Sequence, residues 1–270
     1  MAAETPNPLH KYADQVAVVI SSCDAFFDVW RPFASFLRQS WAGCPLRILL
    51  IVNELRISSR TITPLAVGFD RGWATNLRIA LEQIATPYVL YVQEDYFFTE
   101  SIDSNALARD FGEMMELGAD SLCFRARTKI ERAFRPLNER FGVVPVDSDG
   151  RTRNQITIWK RDALHSILRD GESGWEMERQ GSERTRHMQI LSYGQRGNTP
   201  IRYLMSAIVR GLWTPEALAM CHSHRVAIDQ RFRRTYSQNR WIRALRRSLT
   251  RRDEIRALEQ QCSQILNLDD

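Results

Sequence analysis

Apolar residues fall along the first half of this chain in two alternating rhythms. Residues 15–21 (QVAVVIS) form a β-branched run too short for a helix and apolar on both faces, the pattern of a central parallel strand. Residues 26–41 change period, with apolar side chains at 26, 29, 30, 33, 36, 37 and 41, which predicts a helix. Residues 46–52 (LRILLIV) read as a second strand, ended by Asn53 and Glu54. Residues 73–85 read as a helix with Leu77, Ala80, Leu81 and Ile84 on one face. Pro87 then opens a third strand, YVLYV, since a missing N–H is tolerated at a first strand position. That strand runs directly into Gln93, Glu94, Asp95 and Tyr96.

Further on, residues 103–117 predict an amphipathic helix closed by Gly118. Residues 121–127 and 155–159 read as strands, separated by a charged, Pro-containing excursion at 129–150, and 161–168 as a short helix. Residues 171–186 have little periodicity and many charges, and read as a long functional loop. From Trp213 onward the chain reads as all-helical, with Trp241, Leu245, Leu249, Ile255, Leu258, Cys262 and Leu266 tracing one apolar stripe. Strand–helix alternation predicts an α/β fold with a mostly parallel, doubly wound sheet. Such sheets bind ligands beyond the carboxyl ends of their strands. The positions to inspect are therefore Ser21, Ser22, Cys23 and Asp24, then Asn53 and Glu54, then Glu94 and Asp95.

Charge sharpens the picture. The 270 residues carry a net charge of +5, but residues 1–200 hold 24 Lys and Arg against 25 Asp and Glu. Residues 201–270 hold 13 against 7, and all thirteen are Arg, which points to an anionic partner there or to a solvated helical face. The five cysteines, Cys23, Cys44, Cys123, Cys221 and Cys262, are scattered without a C-x-x-C, so a disulfide framework or zinc ribbon is not expected and a reducing, cytoplasmic setting is. No run approaches a membrane span, and the first residues lack the pattern of a signal peptide. The absence of G-x-G-x-x-G, GxxxxGK[ST] and G-x-S-x-G removes dinucleotide-binding dehydrogenases, P-loop enzymes and α/β-hydrolases.

What stands at the strand ends is acidic. Adjacent carboxylates such as Glu94 and Asp95 can hold a divalent cation through oxygen ligands, and such a cation neutralises a diphosphate leaving group. Alternatively one carboxylate caps the following turn and the other forms an ion pair. The surrounding stretch, GFDRGWATNLRIALEQIATPYVLYVQEDYFF, resembles the nucleotide-binding half of inverting GT-A glycosyltransferases of the bacterial polysaccharide type. In that resemblance Gly72 and Asn76 match the family's glycine and asparagine, and Gln93, Glu94 and Asp95 occupy the place of its D-x-D motif. The resemblance implies a GT-A-like fold, a nucleoside-diphosphate sugar donor, and nucleoside contacts at Ser21, Ser22, Asp24 and Glu54. It implies Mg²⁺ or Mn²⁺ on Asp95 and Glu94. Gln93 departs from the motif, and members with this fold that dispense with metal neutralise the diphosphate with basic side chains, which the Arg-rich last quarter can supply.

NQITIWKRDALHSILRDGESGWEMERQGSER is similar to the acceptor-side segment of the same enzymes. The resemblance makes Glu178, in W-x-x-E, the base that deprotonates the acceptor hydroxyl, with Glu176 as rival. The implied organisation is a nucleotide-sugar and acceptor-binding catalytic domain at 1–212 and a helical extension at 213–270. The implied function is transfer of a sugar to a glycan or glycolipid hydroxyl in surface polysaccharide biosynthesis. A catalytically silent scaffold that binds nucleotide sugar or glycan is the alternative. Cys221, His222, Ser223 and His224 add a His-x-His that, in an extended segment, puts both rings on one face, so His222 or His224 can join Asp95 at a metal. The seven Trp are spread along the chain rather than interleaved with the Arg cluster, which argues against a single-stranded nucleic-acid platform. Residues 225–256 hold eleven Arg, and a helix there with Trp241, Leu245 and Leu249 on one face can lie on the inner face of the cytoplasmic membrane. The competing expectation packs those three residues onto the catalytic domain or a second subunit.

Overall fold

The computed structural model describes residues 6–127, 134–194, 199–230 and 232–269. Arg231 and the first part of the 129–150 excursion lie outside the described residues. The first elements are β1 (Val16–Ser21), α1 (Phe27–Ser40), β2 (Arg47–Val52), β3 (Arg56–Ser58), β4 (Ile62–Ala66), α2 (Trp73–Glu82), β5 (Tyr88–Gln93) and β6 (Phe97–Phe98). Next come α3 (Ser104–Glu116), β7 (Ser121–Cys123), β8 (Arg135–Pro136), β9 (Phe141–Val143), β10 (Thr157–Lys160), α4 (Arg161–Ile167) and α5 (Gly174–Arg184). The last are β11 (Ile190–Tyr193), β12 (Tyr203–Leu204), β13 (Ile208–Val209), β14 (Leu212–Trp213), α6 (Pro215–Ser223), α7 (Arg240–Gln261) and β15 (Ile265–Asn267).

The expected α/β architecture is present. Nine strands form one sheet in the order β4-β2-β1-β5-β10-β7-β11-β9-β8. β4, β2, β1 and β5 are mutually parallel, as are β7 and β11, while β10 and β9 run the other way. All six residues of β1 and five of six in β2 are buried, because helices cover both faces there. On one face α1 and α3 pack Val29, Trp30, Phe33, Leu107 and Phe111 against Val16, Val18 and Ile20. On the other, α2, α4 and α5 pack Leu77, Leu81, Leu164 and Met177 against Ala17, Val19 and Tyr91. β1 sits between β2 and β5, where the chain order reverses. In sheets of this kind such a switch point is where ligands bind, which here means the carboxyl ends of β1 and β5.

Two expectations change. The stretch read as an aperiodic loop, 171–186, contains α5, an eleven-residue helix that opens with a capping box: Ser173 Oγ accepts from Glu176 N, and the Glu176 carboxylate accepts from Ser173 N. Its buried face is only Met177 and Gly181, too narrow to leave a periodic signal. The chain beyond Trp213 is not all helix. Trp213 ends β14 and is fully buried, and Leu266 belongs to β15, which pairs with β3 in parallel. Residues 213–270 thus share the main core through Trp213, Ala217, Cys221, Ala257, Leu266 and Leu268. Asp269 then ties the end down through Ser59, Arg60 and Arg38.

Candidate functional site

At the carboxyl end of β1 the chain turns through a short 3-10 segment, Asp24–Phe26. Asp24 is buried and its carboxylate is fully engaged. Oδ1 accepts from Asn53 N at 2.8 Å, and Oδ2 accepts from Glu54 N at 2.7 Å and Leu55 N at 2.8 Å. Asn53 returns the contact, its Oδ1 accepting from Asp24 N at 3.0 Å. Asp24 therefore clamps the ends of β1 and β2 together, and its carboxylate is not presented to a ligand. Ser22 Oγ accepts from Trp30 Nε1 at 2.7 Å, Ser21 is buried, and the Glu54 side chain is exposed.

The loop before α2 explains the glycine and asparagine. Gly72 has φ +88° and ψ 164°, a region open in practice only to glycine. Asn76 is 2 % exposed and uses both ends of its amide. Its Oδ1 accepts from Arg71 N at 3.0 Å, and its Nδ2 donates to Asp70 Oδ1 at 2.7 Å, which also accepts from Gly72 N. Asn76 thus shapes the exposed 68–72 loop rather than reaching from it. The charges of Asp70 and Glu94 both raise the Cys23 thiol, whose pKa burial already pushes up, so the ends of β1 and β5 and this loop converge on one place.

At the end of β5 the side chains split between two faces. Gln93 Nε2 donates to Tyr91 Oη at 2.9 Å, and Trp73 Nε1 reaches the same oxygen at 3.3 Å. Gln93 therefore belongs to a polar network beside α2. Glu94 and Asp95 are both buried. Asp95 Oδ2 accepts from Ile208 N at 3.3 Å, and its carbonyl accepts from Ala207 N at 2.9 Å, which docks the β13–β14 hairpin onto the site. Burial pushes the Asp95 carboxyl up to about 7, against the Ile208 N–H and the Arg233 charge that favour its ionised form. Burial, with the Asp95 charge beside it, holds Glu94 well above the ordinary carboxylate range.

One cation of the Arg-rich region stands near these carboxylates. Arg233 is 1 % exposed, forms ion pairs with Asp28 at 2.9 Å and Glu254 at 2.7 Å, donates to the carbonyls of Gly211 and Ala25, and lies over the Phe26 ring. Its charge is already matched twice over, so it braces the hairpin and lowers the Glu94 and Asp95 pKa values only in part. The charge count pointed to this region without singling out Arg233, because burial, not sequence, distinguishes it from the other described arginines there.

Of the two glutamates expected on the acceptor side, Glu178 reaches the same edge. Glu178 Oε1 accepts from Asn154 N at 2.6 Å, and burial raises its pKa. The Tyr96 hydroxyl donates to the Asn154 carbonyl, and the Tyr96 phenol feels the charges of both Asp95 and Glu178. Asp95 and Glu178, 83 positions apart, are thereby within electrostatic reach of one ring. Glu176 is not with them. Its carboxylate is locked on Ser173 N at 2.8 Å and Ser173 Oγ at 2.7 Å, and these bonds lower its pKa. Tyr96, Tyr203 and Asn154 were not anticipated. Tyr203 lies 5.0 Å from Tyr96 between ring centroids and donates to Gln155 Oε1 at 2.8 Å. Arg125 lies over its ring.

The His-x-His expectation is overturned. Thr214 caps and Pro215 starts α6, so His222 lies within a helix and His224 at its C-cap, their side chains on different sides. His224 packs edge-on against Phe36 and meets Gln39 at 3.3 Å. Among the described residues no group of three or more His, Cys, Asp or Glu side chains is arranged to hold a metal. Glu94 and Asp95 offer hard oxygen ligands, and a divalent cation would relieve the buried charge that burial disfavours. Their donor chemistry thus fits part of a Mg²⁺ or Mn²⁺ shell, with the remainder left to ligand and water.

No protein-family model matches the chain, and no curated protein sequence matches it. Among solved structures it is similar to TarS 1–349 of S. aureus, at 12% identity and a TM-score of 0.45, covering 67% of this chain and 60% of that one. It is similar to the mannosyltransferase PcManGT from Pyrobaculum calidifontis in complex with GDP-Man and Mn²⁺, at 10% identity and a TM-score of 0.46, covering 72% and 61%. It is also similar to CMP:2-keto-3-deoxy-manno-octonic acid synthetase complexed with CTP, at 8% identity and a TM-score of 0.43, covering 77% and 97%.

Proposed function

We propose that the protein is a glycosyltransferase that moves a sugar from a nucleoside-diphosphate sugar to a hydroxyl of a glycan or glycolipid, with inversion, in surface polysaccharide biosynthesis. The observation that carries this reading is that Asp95, next to Glu94 at the end of β5, and Glu178, bound to Asn154 N, both act on Tyr96, whose hydroxyl donates to the Asn154 carbonyl. In this reading the nucleoside lies over the ends of β1 and β2, bounded by Ser21, Ser22 and Glu54, with the 68–72 loop held open beside it by Asn76. Asp24 contributes by fixing that edge. Glu94 and Asp95 would hold Mg²⁺ or Mn²⁺, which when bound offsets the charge of the diphosphate.

Glu178 takes the proton. The acceptor oxygen attacks the anomeric carbon from the side opposite the diphosphate, the carbon–oxygen bond to the diphosphate breaks, and its electron pair leaves with the diphosphate. The hydroxyl proton passes to Glu178, a carboxylate whose proton affinity burial raises. Asn154 N holds one Glu178 oxygen at 2.6 Å and leaves the other for the acceptor.

The test is a panel of UDP- and GDP-sugars with Mn²⁺ or Mg²⁺, read by thermal shift and by slow release of the nucleoside diphosphate product. A donor should bind and be turned over. Glu178→Gln, which keeps the acceptor oxygen for Asn154 N, should lower turnover by about 10²–10⁴-fold with donor affinity retained. Donor binding without any turnover would move the protein to a scaffold role. Full turnover in Glu178→Gln would remove that residue as the base.

A further inference from the structure

The Arg-rich helix α7 is turned inside out relative to the expectation that its apolar residues pack on the domain. Asn239 caps it through the N–H groups of Trp241 and Ile242. Its inward face is mostly polar or small, with Leu258 also packed against the core. Thr250 and Ala257 are buried, Glu254 meets Arg233, Asp253 meets Arg234, and Arg243 and Arg246 donate to the carbonyls of residues 237, 238 and 235. Four large apolar residues point the other way. Trp241 is 80 % exposed, Leu245 61 %, Ile255 56 % and Ile242 44 %.

At about 100° per residue, positions 241, 242, 245, 249, 252 and 256 fall within an arc of roughly 100°. The first two turns of that arc are Trp, Ile and Leu, and its later part is Arg252 and Arg256, both exposed. Beside it a cleft of about 860 Å³ runs between α7 and the turn of the β13–β14 hairpin, lined by Arg210, Arg247, Arg251, Arg252 and Ser248 among others. Arg210 and Gly211 form that turn with φ of 55° and 77°, which holds the Arg210 side chain at the cleft. Arg210, Arg240 and Arg247 are exposed and make no ion pair among the described residues.

We propose that α7 docks the protein on an anionic membrane surface, with Trp241, Ile242 and Leu245 in the acyl boundary and the exposed arginines on phosphate headgroups. No helix among the described residues is long and apolar enough to cross a membrane, so the association is interfacial. Charge selects this occupant over a second copy of the chain. Residues 240–256 hold seven Arg against Asp253 and Glu254, and both acids are turned inward on Arg233 and Arg234. A two-fold contact would set one arginine face against the same face of its partner. A nucleic-acid backbone would satisfy the arginines but leave the contiguous Trp, Ile and Leu in water. The proposal stands on exposure and charge, and does not depend on glycosyl transfer.

Flotation of the full-length protein with phosphatidylcholine vesicles, with and without phosphatidylglycerol, tests it. The protein should float with anionic vesicles at low salt, be released at high salt, and stay behind with neutral ones. Arg247→Gln with Arg251→Gln should weaken binding about thirtyfold, from about 1 kcal/mol per charge at the surface. Trp241→Ala with Leu245→Ala should abolish flotation with the melting temperature unchanged, since both side chains are exposed. The proposal is overturned by wild-type protein that stays unbound to anionic vesicles, or by a Trp241→Ala/Leu245→Ala variant that floats like wild type. Sedimentation showing a dimer that this double variant dissolves would assign the face to a second copy instead.

Discussion

Asp95→Asn should make the protein more stable at neutral pH. The folded state raises the Asp95 carboxyl from 3.8 to about 7, with burial as the leading cause. Below about pH 4 the group is protonated whether the chain is folded or unfolded, and it has no effect on stability. Between 4 and 7 the folded chain binds more protons than the unfolded one, so stability falls as pH rises and stays low above 7. The full difference is about 4 kcal/mol, at about 1.4 kcal/mol for each step of one in pKa. An asparagine has no charge to bury, and its Oδ1 can still accept from Ile208 N. It also relieves Glu94, whose pKa the Asp95 charge raises. Allowing for water that the ionised site draws in, the expected gain is about 2–4 kcal/mol at pH 8 and under about 1 kcal/mol at pH 4. In a chain of this size that is a rise in melting temperature of about 4–12 °C. Thermal unfolding of wild type and variant in parallel across pH 4–8 reads the difference, and other titrating groups cancel in it. Equal melting temperatures at pH 8, or a gap that does not change with pH, would show that Asp95 is not held in a site that disfavours its charge. Stability gained at the expense of activity would then be the signature of a functional carboxylate.

Two further substitutions probe the frame around the site. Arg233→Leu leaves Asp28, 1 % exposed, without its bidentate partner, and should cost about 3–5 kcal/mol in urea unfolding; a loss below 1 kcal/mol would mean the pair adds little. Gly72→Ala puts a side chain on a backbone at φ +88° with no atom within 4 Å of the added carbon, so its expected cost of about 1–3 kcal/mol is backbone strain alone, and an unchanged urea midpoint would refute it.

The local physics of the chain was legible without coordinates wherever one period dominated. β1, β2 and β5 were read within one or two residues of their ends because a strand buried on both faces is an unbroken apolar run, and no other short element looks like that. α1, α2 and α3 were read for the same kind of reason, each having a wide apolar stripe. The acidic strand end at Glu94 and Asp95, and the glycine and asparagine before α2, were visible as residue types at fixed offsets.

Roles were less legible than positions, because a role depends on partners far away in sequence. Asp24 and Asn76 look like ligand-facing polar residues in the sequence and are internal braces in the fold, since the N–H groups they satisfy come from β2 and from the 68–72 loop. Glu176 and Glu178 are two residues apart and equally acidic. A helix that begins at Ser173 makes one a cap and sends the other, about 200° around the axis, to Asn154 and Tyr96.

The last quarter shows the division most sharply. Read alone, the chain beyond Trp213 is all helical and rich in Arg, with Trp241, Leu245 and Leu249 on one side, because a 3.6-residue period is a property of the local chain; the fold keeps this helix as Arg240–Gln261. Which side faces inward was decided only by the tertiary structure. Arg233 is buried against Asp28 and needs a second carboxylate, and Glu254 supplies it from the opposite face. Glu254 meets Arg233 from the side of α7 opposite Trp241, and with that side turned inward the tryptophan lies outside.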